Sequence, residues 1–164
     1  MEPTGEVIRV GMAESAVCRA PGTLITSGLG SCVGVSFYDP VARVGGMAHI
    51  MLPDSSQGRF TDNKAKFADT SIPDLLASLE KLGAWQERLV VKMAGGAQMF
   101  NFGSKDDRFA IGRRNAEAVK RALDERGIRI SGEDVGGTYG RTMILFAESG
   151  RVVIKAIDKA EREI

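Results

Sequence analysis

Histidine is almost missing from this chain. Its 164 residues include one, His49, and only two cysteines, Cys18 and Cys32. So few ligand side chains, far apart in sequence, do not make a zinc signature, and two thiols are too few for a disulfide scaffold. An excess of one charge is missing too. Lys and Arg total 22 against 21 for Asp and Glu, which gives no support for nucleic-acid binding. No apolar run approaches the length of a membrane span, so no membrane insertion is expected. The opening MEPTGEVIRV lacks the basic-then-apolar design of a signal peptide. Internal repeats and low-complexity tracts are also lacking. What remains is a globular balance, 43% hydrophobic and 26% charged, in a chain long enough for one domain with a sizeable core. The expectation is a single domain over 1–164, cytoplasmic, with reduced thiols.

Two helices are announced by their period. Ile72, Leu75, Leu76, Leu79 and Leu82 recur at helical spacing, and Gly83 stops the run. This helix starts either at a Ser71 cap, with Pro73 in the first turn, or further back through Ala68 and Ala65. A second helix from about Gly112 turns Ala116, Val119, Ala122 and Leu123 inward and ends at Gly127. Asn115, near its start, is expected to tie the 95–97 turn or a neighbouring loop. Strand patterns cover 6–18 with a break near Gly11, then 23–27, 88–94, 128–135, 141–148 and 151–157; residues 100–111 read as loop and 158–164 as a charged tail. Strand-rich ends around two separated helices give a mixed α/β or α+β domain.

Cys32 and His49 flank Asp39-Pro40-Val41-Ala42, whose Asp and Pro suit a type I turn. A hairpin centred there sets Cys32 directly opposite His49 on one face, with Cβ atoms about 4.5–5.5 Å apart. Val33, Val35 and Phe37 then share an apolar face with Val44, Gly46 and Ala48. The Cys32 face is smaller and more polar, as an exposed face would be. Tight hairpins favour primed turns, so a longer loop around the same turn is the other solution.

A neutral thiol is a poor nucleophile, and a neighbouring imidazole can take its proton. The same imidazole can protonate a leaving group and then activate water. Backbone amides around Gly30-Ser31-Cys32 are candidate donors to a developing oxyanion, with two nearby glycines allowing close approach. A third group must orient the ring. The bland reading stands beside this one: a Cys in a β-prone run is usually core, and a lone His often satisfies a local hydrogen bond. Cys18 reads as a small buried hydrophobe. Gly28-x-Gly30 and Gly95-Gly96 complete neither a dinucleotide fingerprint nor a Walker A motif.

T-S-G-L-G-S-C-V from Thr26, G-M-A-H-I-M-L-P-D from Gly46, F-A-D-T from Phe67, K-M-A-G-G-A-Q-M from Lys92, I-G-R-R-N from Ile111 and E-D-V-G-G from Glu133 resemble, in order, the CheD family of bacterial chemoreceptor glutamine deamidases. The resemblance implies a Cys-His-Thr triad: Cys32 as nucleophile, His49 as base and Thr26 as third member, through hydroxyl or backbone carbonyl. It implies an α+β fold like the catalytic domain of cytotoxic necrotizing factor toxins, two packed mixed sheets with outer helices in four layers, α/β/β/α. It implies a single deamidase domain with no cofactor or metal. The implied substrate is a glutamine amide on the cytoplasmic helices of methyl-accepting receptors, hydrolysed through a thioester, and the implied partner is a CheC-type phosphatase. A non-catalytic adaptor tuning such a phosphatase is the alternative, and a methylesterase or transglutaminase side activity would use the same thioester. The opening MEPTGE and the tail after Ile157 carry none of the family's motifs, and the 101–109 loop reads as variable, which bears on partner contacts more than on the chemistry.

Overall fold

Two neighbouring strands, β4 (Val33–Asp39) and β5 (Val44–Ile50), are buried along their whole length and on both faces. A strand can be buried on both faces only inside a layered packing, and these two sit at the centre of one. The computed structural model describes residues 5–57, 62–99 and 110–164. The remaining elements are β1 (Val7–Arg9), β2 (Ser15–Arg19), β3 (Thr23–Leu29), α1 (Ala68–Lys81), β6 (Val90–Gly95), α2 (Ile111–Asp124), β7 (Ile130–Val135), β8 (Arg141–Phe146), β9 (Arg151–Lys155) and β10 (Arg162–Glu163).

The strands form two five-stranded sheets, ordered β1-β3-β8-β9-β10 and β2-β5-β4-β6-β7. Each is mixed: β1 runs parallel to β3 and β6 to β7, and the other pairs are antiparallel. Leu24, Leu29, Met143, Leu145 and Ile154 of the first sheet meet Cys18, Tyr38 and Met47 of the second in the core between them. On the other face of the second sheet, Val33, Val35, Phe37, Val44, Ala48 and Ile50 pack under Ile72, Leu75 and Leu79 of α1 and Val119 and Leu123 of α2.

The α+β class, the two packed mixed sheets and the outer helices agree with expectation. The layer count differs. Both helices cover the same sheet, so the described residues make three layers. The outer face of the first sheet carries a small cluster of Ile144, Phe146 and Val153. The first helix takes the longer of its two possible starts, with Pro73 inside it. The charged tail folds back as β10, tied by Arg151 to Glu163 at 2.8 Å and Lys155 to Glu161 at 3.1 Å. The 101–109 loop lies outside the described residues.

The hairpin register departs from expectation by two positions. Gly34, not Cys32, lies opposite His49, and Asp39 pairs with Val44. The loop is 40–43, four residues long, because the turn extends. The Asp39 carboxylate accepts from the Val41 and Ala42 amides at 2.9 and 3.0 Å, and Arg43, with φ +55°, turns its amide back to the Asp39 carbonyl at 2.8 Å. A slip of two keeps every side chain on its face. The Cys32 face is the inter-sheet face, however, rather than an exposed one.

Candidate active site

The chain crosses from one sheet to the other through three residues, Gly30-Ser31-Cys32, between β3 and β4. That crossing places Cys32 at the rim of the sandwich. β3 brings Thr26 from the first sheet, and β5 brings His49 from the second. Thr26 and His49 are each 1% exposed and Cys32 8%, so Cys32 is the least buried of the three. Gly34 lies opposite His49 in the register and faces the first sheet. A Cβ at Gly34 would come within 3.0 Å of Leu29 and Met143 and 3.4 Å of the Thr26 methyl.

The hydrogen bonds assign the imidazole. Thr26 Oγ1 lies 2.6 Å from the Val10 carbonyl and 2.7 Å from His49 Nδ1. A carbonyl only accepts, so the Thr26 proton goes to Val10. The hydroxyl lone pair must then accept from Nδ1–H. Nε2 is left as the bare acceptor, and it is buried without a hydrogen-bond partner among the described residues. Of the two ways Thr26 could meet the ring, its hydroxyl does so. Cys32, the last residue of the crossing before β4, packs in the same inter-sheet cluster as Met47, the residue two before His49 on its face of β5. No hydrogen bond joins thiol and ring.

Burial sets the charge states. It pushes the Cys32 thiol up from its ordinary value, against a smaller lowering by the residue's own amide. It pushes His49 down, opposed by the charge of Glu14. Both shifts favour a neutral thiol beside a neutral imidazole, a base with its lone pair free. Cys18 is free, buried and pushed up to about 11 by burial and by Glu6. It pairs with Gly45 across β2 and β5, four residues along from His49.

The crossing segment is held from one side. The Gly30 carbonyl accepts from the Ala97 amide at 2.8 Å, Ser31 from Asn115 Nδ2 at 2.9 Å, and Cys32 from the Gly96 amide at 2.9 Å. The turn at Gly95 requires glycine: its φ is +105°, and a Cβ there would collide with the Cys32 carbonyl. Arg141, itself buried, braces this turn by donating to the carbonyls of Gly95 at 3.2 Å and Gly136 at 2.6 Å while pairing with Asp134 at 2.9 Å. The Gly30 amide is committed to the Gly28 carbonyl at 3.0 Å.

Thus Thr26 and His49 are bonded, Cys32 lies in the same inter-sheet cluster, and Gly30 and Ser31 lead into Cys32. Sequence reasoning missed Val10, Gly34 and Arg141. A backbone carbonyl has no sequence signal, and Gly34 could be read only from the true register. Asn115 was expected to tie the 95–97 turn or a neighbouring loop; its side chain bonds not to that turn but to the Ser31 carbonyl of the neighbouring crossing, with a second bond to Met51. Among the described residues no group of three His, Cys, Asp or Glu converges as a metal site, and no helix is long and apolar enough to cross a membrane.

Residues 51–156 match the family model described as CheD chemotactic sensory transduction. The chain is 52% identical over 160 residues to a protein of Halalkalibacterium halodurans named chemoreceptor glutamine deamidase CheD, covering 97% of this chain and 99% of that one. It is 55% identical over 153 residues to a probable chemoreceptor glutamine deamidase CheD of Moorella thermoacetica, covering 93% and 92%. Among solved structures, Neisseria meningitidis protein NMB0706 is similar with a TM-score of 0.46 at 11% identity, over 81% of this chain and 63% of that one. A likeness of that size carries no functional argument.

Proposed function

The chain belongs to the CheD family, and from that premise we propose that it is a cysteine amidohydrolase converting selected glutamine side chains of chemoreceptors to glutamate. The observation that carries the chemistry is the Val10–Thr26–His49 relay, which leaves Nε2 unprotonated on the face of Cys32. In this reading Nε2 takes the Cys32 proton as sulfur attacks the amide carbon. It returns that proton to the leaving nitrogen, and ammonia departs from a thioester. Water, losing its proton to Nε2, then attacks the thioester. Glutamate leaves and the proton goes back to sulfur. Thr26 orients the ring and takes no proton.

Peptide geometry supports an assignment of the oxyanion donors. In a trans peptide the C=O and the next N–H point in opposite directions. With the Gly30 and Ser31 carbonyls held toward the 95–97 turn and Asn115, the Ser31 and Cys32 amides face the other way. Since the Gly30 amide is already engaged, we assign the donors to Ser31 and Cys32.

The substrate reading is a cytoplasmic receptor helix, which agrees with two unpaired thiols. Tandem mass spectrometry of receptor fragments incubated with the wild-type protein should find glutamine converted to glutamate at defined positions, and none with Cys32→Ala. Unmodified fragments after incubation with the wild-type protein would overturn the assignment. A CheC-type phosphatase would compete with receptor if it covers the Cys32 rim, so deamidation should slow as that partner is added. A rate unchanged at saturating partner would place its docking surface elsewhere.

A further inference from the structure

Asn115 is fully buried on the inner face of α2, and one nitrogen of its side chain reaches two chain segments. Nδ2 donates to the Ser31 carbonyl at 2.9 Å and to the Met51 carbonyl at 2.9 Å. Ser31 immediately precedes the nucleophile, and Met51 lies two residues beyond the base. We propose that Asn115 is a positioning residue that sets the crossing segment against the end of β5, and through the Ser31 carbonyl aims the Cys32 amide at the substrate oxygen. The inference deepens the deamidase reading and rests on it.

The chemistry of the position restricts the choice. Two donors on one uncharged nitrogen are offered only by a carboxamide; a hydroxyl has one, and an ammonium would bring a buried charge. Oδ1 of the same group is buried with no hydrogen-bond partner among the described residues. An unpaired buried acceptor is a cost that packing alone would remove with an apolar side chain. The residue is therefore present for its two donors. The seat is also tight. Gly112, one turn earlier in α2, has no space for a Cβ because the Ala97 and Gly96 carbonyls lie against it. The helix is thus pinned to the turn that holds Gly30 and Cys32. With the Ser31 carbonyl released, the peptide plane that carries the Cys32 N–H is free to rotate, and the oxyanion loses an aimed donor.

The test uses Asn115→Asp and Asn115→Ala, with receptor fragment as substrate and rates expressed per folded protein. Both variants should lose kcat by about 10- to 100-fold, with KM within about threefold. The deficit of Asn115→Asp against wild type should narrow toward acid pH, where its carboxyl regains a proton to donate; Asn115→Ala should show no such recovery. A purely structural role would lower the melting temperature and leave kcat per folded molecule within about twofold, and that result overturns the proposal. Should the variants not fold, the wild-type protein decides. Both Asn115 Nδ2 protons should be strongly protected from hydrogen exchange by nuclear magnetic resonance, and rapid exchange overturns the proposal. In a Cys18→Ala background, the pH profile of Cys32 alkylation by iodoacetamide should also change in Asn115→Asp. That arm is independent of deamidation. If wild type deamidates nothing, the deamidase reading fails on its own, while an unchanged alkylation profile overturns the Asn115 proposal alone.

Discussion

Thr26 and His49 belong to different sheets, yet Thr26 Oγ1 and His49 Nδ1 lie 2.7 Å apart. The bond has a fixed direction because the Thr26 proton is already given to Val10. Thr26→Ser keeps the hydroxyl and should retain much of the rate. Thr26→Ala leaves a buried ring N–H unpaired, which costs about 1–3 kcal/mol and should lower kcat by roughly 10- to 100-fold. Kinetics and thermal melts of both variants check this. Equal activity of wild type and Thr26→Ala would show that the bond is dispensable.

The pH profile should carry the mark of burial. His49 is held below its ordinary value mainly by desolvation. The base is competent when neutral, so activity should persist below about pH 6.5 and fall only as pH drops through the depressed value. Stability follows the same sign. The unfolded chain takes up the His49 proton at about pH 6.5 and the folded chain resists it, so this contribution is full above that pH and is lost on acidification toward the folded value. A kcat/KM profile with its acid limb at or above pH 6.5 would contradict the geometry. His49→Gln should abolish activity and remove the matching step in the stability curve.

The two thiols should separate cleanly. Cys32→Ala should abolish deamidation with a stability change of no more than about 1–2 kcal/mol. Cys18→Ala should keep most of the activity, since Cys18 pairs with Gly45 at about 13 Å along the strand from His49. With its pKa at about 11, Cys18 should also be the slower of the two to alkylate near neutral pH. Loss of activity in Cys18→Ala would mean that the wrong thiol has been assigned.

The far end of the hairpin offers a stability probe remote from catalysis. Buried Asp39 takes the Val41 and Ala42 amides on one oxygen, and the Trp85 amide and Arg88 guanidinium, each at 2.9 Å, on the other. Burial alone would raise its pKa, but these donors outweigh it and bring it down to about 2. A depressed carboxyl stabilises above its unfolded value of 3.8, and the contribution disappears as pH falls toward 2. Asp39→Asn turns an amide nitrogen toward donors and should cost about 2–3 kcal/mol in urea denaturation. Activity of the folded variant should remain, because Asp39 is about 20 Å along the strand from Cys32.

How far the sequence could be read depended on range. The faces of β4 and β5 were legible because side chains alternate with period two, and a two-residue register error leaves that parity intact. The register was not legible, since it depended on Arg43 adopting a left-handed backbone. Which face met solvent was also hidden. Gly34, Ser36 and Tyr38 look like an outer face, but they lie between the sheets, where the absent side chain of Gly34 leaves space for Leu29 and Met143. Cys32 and His49 could be paired from the turn between them. Thr26 could be joined to them only through the family resemblance, because nothing local predicts that β3 stacks over β5. Asn115 gave a loop-tying signal from its place at a helix start, but its two carbonyl partners lie 84 and 64 residues away.

On the proposed assignment, the division of the relay between two layers would make catalysis a gauge of alignment. Thr26 is anchored to β8 and His49 to β4, and apart from their own hydrogen bond the two strands meet across the gap through apolar side-chain packing. Apolar packing tolerates a slide of an ångström with little loss, since it has no preferred direction. A hydrogen bond of 2.7 Å does not, because the same slide stretches it past useful length. Mild shear of the sandwich, whether from denaturant, pressure or a protein pulling on one sheet, would therefore silence the enzyme while both sheets remain folded.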